Sequence, residues 1–180
     1  MTELARQNTT TAGACPLCGA EALTGLCLPG ARLAGSSYER GFGPAQVGSG
    51  RLWPLPLDPT LWISRDLPRE DPWLQATFTR GRPVERIELL WAPLAGWSSD
   101  FAPPEVRLIV KGDEARMEPL LDSIIPVTDD GLTLWQAPRG PLEGVRSVRI
   151  ELAQPTRTGV DRRARMAALR VIGPHGPALP

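Results

Sequence analysis

The chain has few of the residues on which common active sites depend. Its one histidine is His175, near the C-terminus, and no G-x-S-x-G, H-E-x-x-H or phosphate-loop motif occurs. Carboxylate pairs such as those at 70–71 and 129–130 are adjacent in sequence, so they would face opposite ways in strands and would be solvated in turns. We therefore expect a protein that is not an enzyme.

Net charge is absent as well. The 20 basic and 20 acidic residues cancel, which removes the overall attraction typical of proteins that bind nucleic acids or anionic membranes. An arginine-rich run has arginines at positions 162, 163, 165 and 170. It has no interleaved aromatic residues for base stacking, so we expect it to be solvated. No nucleic acid and no membrane is predicted as a partner.

Long apolar stretches are also missing. No apolar run reaches the roughly 18 residues that a membrane-spanning helix needs. The first residues, MTELARQNTTTAGA, contain no apolar stretch typical of a signal peptide, so a cytoplasmic location is expected. Because residues 1–14 are polar and have no periodicity, they are expected to form a disordered tail.

Cysteine is scarce and confined to one short region, as Cys15, Cys18 and Cys27. Three cysteines cannot form an even disulfide framework, whereas the spacing in CPLCG is typical of a turn that presents two thiolates to zinc. A tetrahedral site would need a fourth ligand, for which His175, Glu21 or a partner chain are candidates. Free thiols and redox chemistry are the alternatives to zinc.

What the chain does have is proline, glycine and alternating apolar residues. The 20 prolines and 18 glycines favour short elements joined by turns. From about residue 61, alternation predicts six strands, in WLQATF, RPVERIELLW, EVRLIVKG, LTLWQ, VRSVRIELA and RMAALRVIG. Turn signals lie between the later ones, in DDG and RGP. The pattern predicts an all-β fold, an antiparallel sandwich or barrel.

Trp73 lies on the polar side of its predicted strand. The predicted core positions of this strand are Leu74, Ala76 and Phe78, and Trp73 alternates with them, so it should face outward. Large aromatic side chains are usually covered by their own chain. We expect the irregular segment 36–57 to cover Trp73, and stacking on a ligand is the alternative. The aromatic residues of that segment are Tyr38, Phe42 and Trp53.

These segments carry a family resemblance. The stretch WISRDLPREDPWLQATFTRGRPVERIELLW resembles the first half of a discoidin domain, the coagulation-factor type C module of the galactose-binding-like superfamily. PPEVRLIVKGDE, VRSVRIELAQP and MAALRVIGP resemble later strands of such domains, in the same order. The resemblance implies an eight-stranded antiparallel jelly-roll β-sandwich. It also implies that loops at one end bind sugars, phospholipid headgroups or protein surfaces.

The resemblance also suggests how the chain is divided. We expect a cysteine-bearing segment at 15–35, the sandwich with its lead-in segment at 36–174, and a flexible tail at 175–180. TLWIS is similar as well to an element in the C-terminal β-domain of some bacterial FAD-dependent oxidoreductases, although no dinucleotide-binding fingerprint accompanies it.

The candidate binding site is the loop LAGWSSDFAPPEV, between two predicted strands. It places Trp97, Ser99, Asp100 and Phe101 together. An aromatic face and planar polar groups are what sugar recognition requires, and the same side chains suit docking to a protein. Trp97 could instead fold back over the sandwich as a plug.

The sequence thus predicts a non-catalytic module that recognises a protein surface or a glycan. One alternative is an accessory β-domain or subunit of a bacterial FAD-dependent oxidoreductase. Another is a structural subunit of a phage-tail or injection-type assembly. A homo-oligomer or hetero-oligomer is compatible with each of these functions.

Overall fold

The computed structural model describes residues 31–48, 61–65, 71–91, 103–113, 118–128, 130–152 and 163–174. These residues form β-strands and one short 3-10 helix, Pro44–Gly48. The strands are β1 (Ala31–Gly35), β2 (Trp62–Ile63), β3 (Trp73–Val84), β4 (Arg86–Trp91), β5 (Glu105–Lys111), β6 (Leu121–Pro126), β7 (Leu132–Gln136), β8 (Leu142–Leu152) and β9 (Arg165–Ile172). Within the described ranges, no helix is long and apolar enough to cross a membrane.

The strands form two antiparallel sheets. One has five strands in the order β1-β3-β8-β5-β6, and the other has four in the order β2-β9-β4-β7. This arrangement confirms the predicted all-β antiparallel sandwich. The described residues contain nine strands, whereas the resemblance implied eight.

Three strands fall outside the six predicted stretches: the two-residue β2, which lies in the WIS motif, and the edge strands β1 and β6. β1 pairs with β3 along its whole length, so the last residues of the predicted cysteine-bearing segment belong to the sandwich. β6 pairs with β5 at the opposite edge of the same sheet. Both are edge strands, half exposed along their length, so their apolar alternation is weak.

The core lies between the two sheets and contains the predicted apolar positions. Leu74, Ala76 and Phe78 are at most 5% exposed. The chain passes from one sheet to the other at Glu85, since β3 ends at Val84 and β4 begins at Arg86 in the second sheet. Because the chain crosses between sheets here, Val84 and Ile87 can both face the core.

The outer face of the four-stranded sheet is partly buried as well, whereas Leu134 on it is exposed. Its apolar cluster comprises Leu61, Ile63, Leu90, Ala167 and Ala168, with Phe42 and Leu132 packed against it. On the same face, Arg170 donates to Glu88 over 2.9 Å, with side-chain exposures of 5% and 2%. The prediction that the arginine-rich run is solvated is therefore wrong for Arg170, because pairing with Glu88 permits its burial.

Candidate functional site

The strand directions gather five connections at one end of the sandwich, which we call the loop end. The registers place Gly35 beside Leu74, Trp91 beside Met166, and Leu152 beside Val106. The strands of both sheets therefore begin or end together at the loop end. The strand ends that lie there flank the connections 36–61, 64–72, 92–104, 127–131 and 153–164.

The turn after β1 is held firmly at the loop end. The backbone N–H of Ser36 donates to the carbonyl of Trp73 over 3.0 Å, and the hydroxyl of Ser36 accepts from the N–H of Trp73. Further along, the N–H of Glu39 donates to the carbonyl of Ile63 over 2.9 Å. These bonds join the segment to β3 and β2, so it is part of the sandwich.

Ser64 ties the strand β2 to the start of β9. It is completely buried, and its hydroxyl accepts from the N–H of Ala164 over 2.9 Å. Its own N–H donates to the carbonyl of Ala164 over 3.1 Å. The serine of the WIS motif therefore satisfies buried backbone groups of the neighbouring chain.

Asp130 organises the connection between β6 and β7. Its carboxylate accepts from the Thr128 hydroxyl and from the Leu132 N–H, the latter over 3.1 Å. The hydrogen bond from Thr128, followed by that from Leu132, lowers the pKa of Asp130 below its ordinary value. The DDG turn signal thus marks a turn closed by its own carboxylate.

The predicted binding residues Trp97, Ser99, Asp100 and Phe101 lie outside the described residues. Their loop leaves β4 after Trp91 and returns at Pro103 and Pro104, and the Pro104 carbonyl accepts from the N–H of Val127 over 3.0 Å. The base of the loop is therefore at the loop end.

The predicted metal ligands Cys15, Cys18 and Cys27 also lie outside the described ranges, as does His175. Where the structure describes the chain, no group of three or more His, Cys, Asp or Glu side chains is placed to hold a metal ion.

The outward-facing Trp73 contacts a residue of the neighbouring strand β8. Trp73 is half-buried, and the guanidinium of Arg149 lies 4.2 Å from the centroid of its ring. Tyr38 is exposed and Phe42 packs in the cluster on the other sheet, while Trp53 lies outside the described residues. A cation–π contact with Arg149, absent from the sequence prediction, therefore covers the ring.

Arg149 continues into a row of charges across the outer face of the five-stranded sheet. It lies 2.8 Å from Glu151, which is 3.4 Å from Arg107, and Arg107 makes two bonds to Asp122. The hydrogen bond from Arg107 lowers the pKa of Asp122. Each charge has an opposite neighbour, so the row is balanced and offers no strong field to a charged ligand.

The opposite end of the sandwich is a poorer candidate for a ligand site. A shallow cleft of about 200 Å³ is lined there by Gly112, Asp113, Glu143 and Gly144. Ligand pockets for small molecules are usually at least about 300 Å³ and contain aromatic groups. This cleft therefore lacks the size and the aromatic surface that sugar binding requires.

The structure also assembles a polar cluster at the loop end that sequence reasoning missed. Tyr38 and Arg65 meet where the Arg65 Nε donates to the Tyr38 carbonyl over 3.0 Å. Glu39 lies 3.9 Å from Nη1 of Arg163. The sequence indicates Tyr38 only as a packing residue, and no motif in it joins these positions, which are up to 125 residues apart.

No protein-family model and no curated protein matches the chain. Solved structures share its fold. The family 32 carbohydrate-binding module of Streptococcus pneumoniae EndoD matches with a TM-score of 0.64 and 16% identity, covering 82% of this chain and 98% of that module.

Two modules solved with sugars are similar as well. The family 32 module of C. perfringens NanJ, in complex with galactose, has a TM-score of 0.60 and 12% identity over 80% of this chain and 94% of that one. A family 32 module from Clostridium perfringens, in complex with GalNAc-β-1,3-galactose, has a TM-score of 0.60 and 14% identity over 82% and 99%. The chain thus shares the β-sandwich fold of these modules, in agreement with the fold that the resemblance to discoidin domains predicted.

Proposed function

We propose that this protein is a non-catalytic module that binds a glycan at the loop end of its sandwich. The observation that carries the proposal is the gathering of five connections at one end of a fold shared with modules solved with galactose and with GalNAc-β-1,3-galactose. Binding loops on a rigid scaffold are the usual arrangement for recognition. The balanced net charge suits a neutral or weakly charged ligand better than a nucleic acid.

The connection 92–104 is the first candidate for contacting the sugar. It begins and ends at the loop end, and its sequence supplies Trp97, Ser99, Asp100 and Phe101. An indole face packs against the apolar side of a pyranose, and carboxylate and hydroxyl groups take up its hydroxyls.

Glycan binding can be tested directly with the tagged protein on an array of immobilised oligosaccharides, followed by calorimetry with the best ligand. Retention on at least one glycan class is expected. Trp97→Ala should abolish binding and leave the Tm nearly unchanged. Ile124→Ala is the matched control, because Ile124 is 63% exposed on the edge strand β6 and should not affect binding.

Two results would contradict this proposal. If the wild-type protein is retained by no glycan, the module is not a glycan binder, and the loop becomes a candidate for protein docking. If Trp97→Ala lowers the stability by roughly 3 to 5 kcal/mol, Trp97 is a buried plug and not a binding residue.

We propose separately that Cys15, Cys18 and Cys27 bind zinc, on the strength of their spacing alone. Native mass spectrometry of protein purified without chelator should then show one zinc ion per chain, and Cys18→Ser should lose it. A metal-free mass with three thiols that react readily would overturn the assignment.

A further inference from the structure

Strand β7 lies at a sheet edge and lacks the features that usually prevent an edge from pairing with another chain. Its sequence, LTLWQ, contains no charge and no proline. The other edge strands that the structure describes are protected, since β1 contains Arg32, β6 contains Asp122 and Pro126, and β2 has two residues. Natural proteins keep sheet edges from pairing by charges, prolines and short length. β7 is therefore the edge best suited to accept a further strand.

The outward backbone groups of β7 follow from its pairing with β4. The N–H of Trp91 donates to the carbonyl of Gly131, and the N–H of Ala137 donates to the carbonyl of Glu85, both over 2.8 Å. Hydrogen-bonded and non-hydrogen-bonded pairs alternate along an antiparallel ladder. Positions 131, 133, 135 and 137 therefore bond to β4, whereas positions 132, 134 and 136 direct their backbone groups away from it.

One end of this outward edge is closed by the turn before β7. The Asp130 carboxylate accepts from the N–H of Leu132 over 3.1 Å, and the Leu132 carbonyl accepts from the N–H of Thr128 over 3.3 Å. Within the described residues, no strand pairs with Leu134 and Gln136 on the side away from β4. The open part of the edge thus consists of two N–H donors and two carbonyl acceptors, at Leu134 and Gln136.

The side chains of the open edge are uncharged and partly apolar. Leu134 is 48% exposed on the outer face of the sheet. Trp135 points to the other face, where it packs against the core and stays partly exposed. Exposed apolar side chains along an edge strand favour association. The chain also carries no net charge that would keep two copies apart.

We infer that β7 pairs with β7 of a second copy of this chain, antiparallel, about a two-fold axis at Trp135. Leu134 then lies opposite the partner's Gln136, and four hydrogen bonds use every open donor and acceptor of the two edges. A pair centred on Leu134 would place Gln136 opposite Leu132, whose backbone groups are occupied. A pair centred on Gln136 would place Leu134 opposite Pro138, which has no N–H to donate.

The same register brings apolar side chains together. Trp135 lies opposite the partner's Trp135 in a non-hydrogen-bonded pair, in which side chains are closest, and Leu134 is diagonal to the partner's Leu134. Because the pairing is antiparallel, the loop ends of the two copies lie at opposite ends of the dimer. The dimer would therefore join two glycans instead of holding both sites to one surface, and only this consequence rests on the proposed function.

Sedimentation equilibrium of the full chain measures the association, with a reducing agent present to exclude disulfide-linked dimers. Pairing through a five-residue strand buries less than a standard interface, so the chain should be monomeric at about 1 μM and mainly dimeric near about 500 μM. Hydrogen exchange followed by NMR checks the register. As the concentration rises, exchange of the Leu134 and Gln136 N–H groups should slow, and exchange of the Ile124 N–H on β6 should not change.

Two variants test the edge, and a third is their control. Gln136→Pro removes an N–H that faces away from β4, so the monomer keeps its hydrogen bonds and the dimer loses two of four. The association constant should fall about tenfold or more. Leu134→Lys adds a charge to the edge and should have the same effect. Ile124→Lys makes a similar change at a side chain 63% exposed on β6, and it should associate as the wild type does.

Three results would overturn the inference. The first is a wild-type chain that stays monomeric up to about 500 μM, which would leave β7 as an edge for a strand of another protein. The second is a dimer that Gln136→Pro and Leu134→Lys form as readily as the wild type. The third is equal weakening by Ile124→Lys and Leu134→Lys, which would place the interface elsewhere. Circular dichroism confirms that each variant is folded, and if Leu134→Lys does not fold, Gln136→Pro decides. None of these outcomes changes the test of glycan binding.

Discussion

Glu88 and Arg170 face each other across β4 and β9 and form an ion pair that is almost completely buried. Nη1 of Arg170 lies 2.9 Å from Oε2 of Glu88, and Nε of Arg86 lies 2.9 Å from the other carboxylate oxygen. Because Glu88 and Arg170 have both lost their hydration, the carboxylate of Glu88, which also pairs with Arg86, offsets the buried charge of Arg170.

Removing one partner of this pair should be costly. Glu88→Leu leaves the Arg170 guanidinium buried without its carboxylate, and the free energy of unfolding should fall by about 3 to 5 kcal/mol. Urea unfolding measures the change. In the double variant with Arg170→Met most of the loss should be recovered, since a buried pair contributes little compared with apolar groups of similar size. Equal stability of the single variant and the wild type would contradict this account.

The buried indole of Trp91 depends on Thr133. Its Nε1–H donates to the Thr133 hydroxyl over 2.9 Å, and Thr133 is 1% exposed. Thr133→Val keeps the shape but leaves the N–H unsatisfied, so it should cost about 1 to 3 kcal/mol in thermal or chemical unfolding. Thr133→Ser retains the hydroxyl and is the control. The Thr133→Val variant should lose more stability, and equal losses would show that the methyl group contributes as much as the hydrogen bond.

Gly81 lies where β3 and β8 approach closely. A Cβ at Gly81 would be 3.1 Å from the Cα and 3.2 Å from the carbonyl oxygen of Gly144. Since the obstacle is backbone, Gly81→Ala should destabilise the fold by about 1 to 3 kcal/mol. Gly112→Ala is the matched control, because its Cβ would first meet the flexible end of Leu120 at 3.4 Å. If the Gly81→Ala variant is as stable as the wild type, the two strands can move apart without loss of free energy of unfolding.

The Asp122 carboxylate makes the stability dependent on pH. Hydrogen bonds from Arg107 lower its pKa in the folded state. Its stabilising effect is therefore present above the unfolded pKa of about 4 and is lost as the pH falls through the lower folded value. Asp122→Asn should lower the Tm slightly at pH 7, and the difference from the wild type should vanish near pH 2. Asp71→Asn, at another exposed carboxylate, controls for the loss of one surface charge. A difference that grows in acid would contradict the prediction.

Alternation in the sequence predicted the central strands well, because these strands pack one face against the core. Val106, Leu108 and Val110 are all buried, as the pattern EVRLIVKG requires. The edge strand β6 gave no such signal, since LDSIIP has two adjacent isoleucines and Ile124 is 63% exposed. An edge strand exists because a neighbour pairs with its backbone, and that neighbour is set by long-range contacts.

The candidate site was less predictable than the fold. The candidate loop 92–104 could be named from its composition, and its position between two predicted strands indicated an end of the sandwich. The contact of Tyr38 with Arg65 could not be foreseen, because it depends on how β2 docks beside the turn after β1. Sequence composition identifies side chains that suit a sugar but not which of them are neighbours.

The sequence by itself determined which side chains face the core, because the alternation of a strand is local and has a period of two residues. Only the tertiary structure decided which outward side chains meet. The guanidinium of Arg149 lies over Trp73, and Arg170 pairs with Glu88, through registers between strands 76 and 82 residues apart. Those registers follow from sheet order and from the close packing of two whole sheets, which no short stretch of sequence contains.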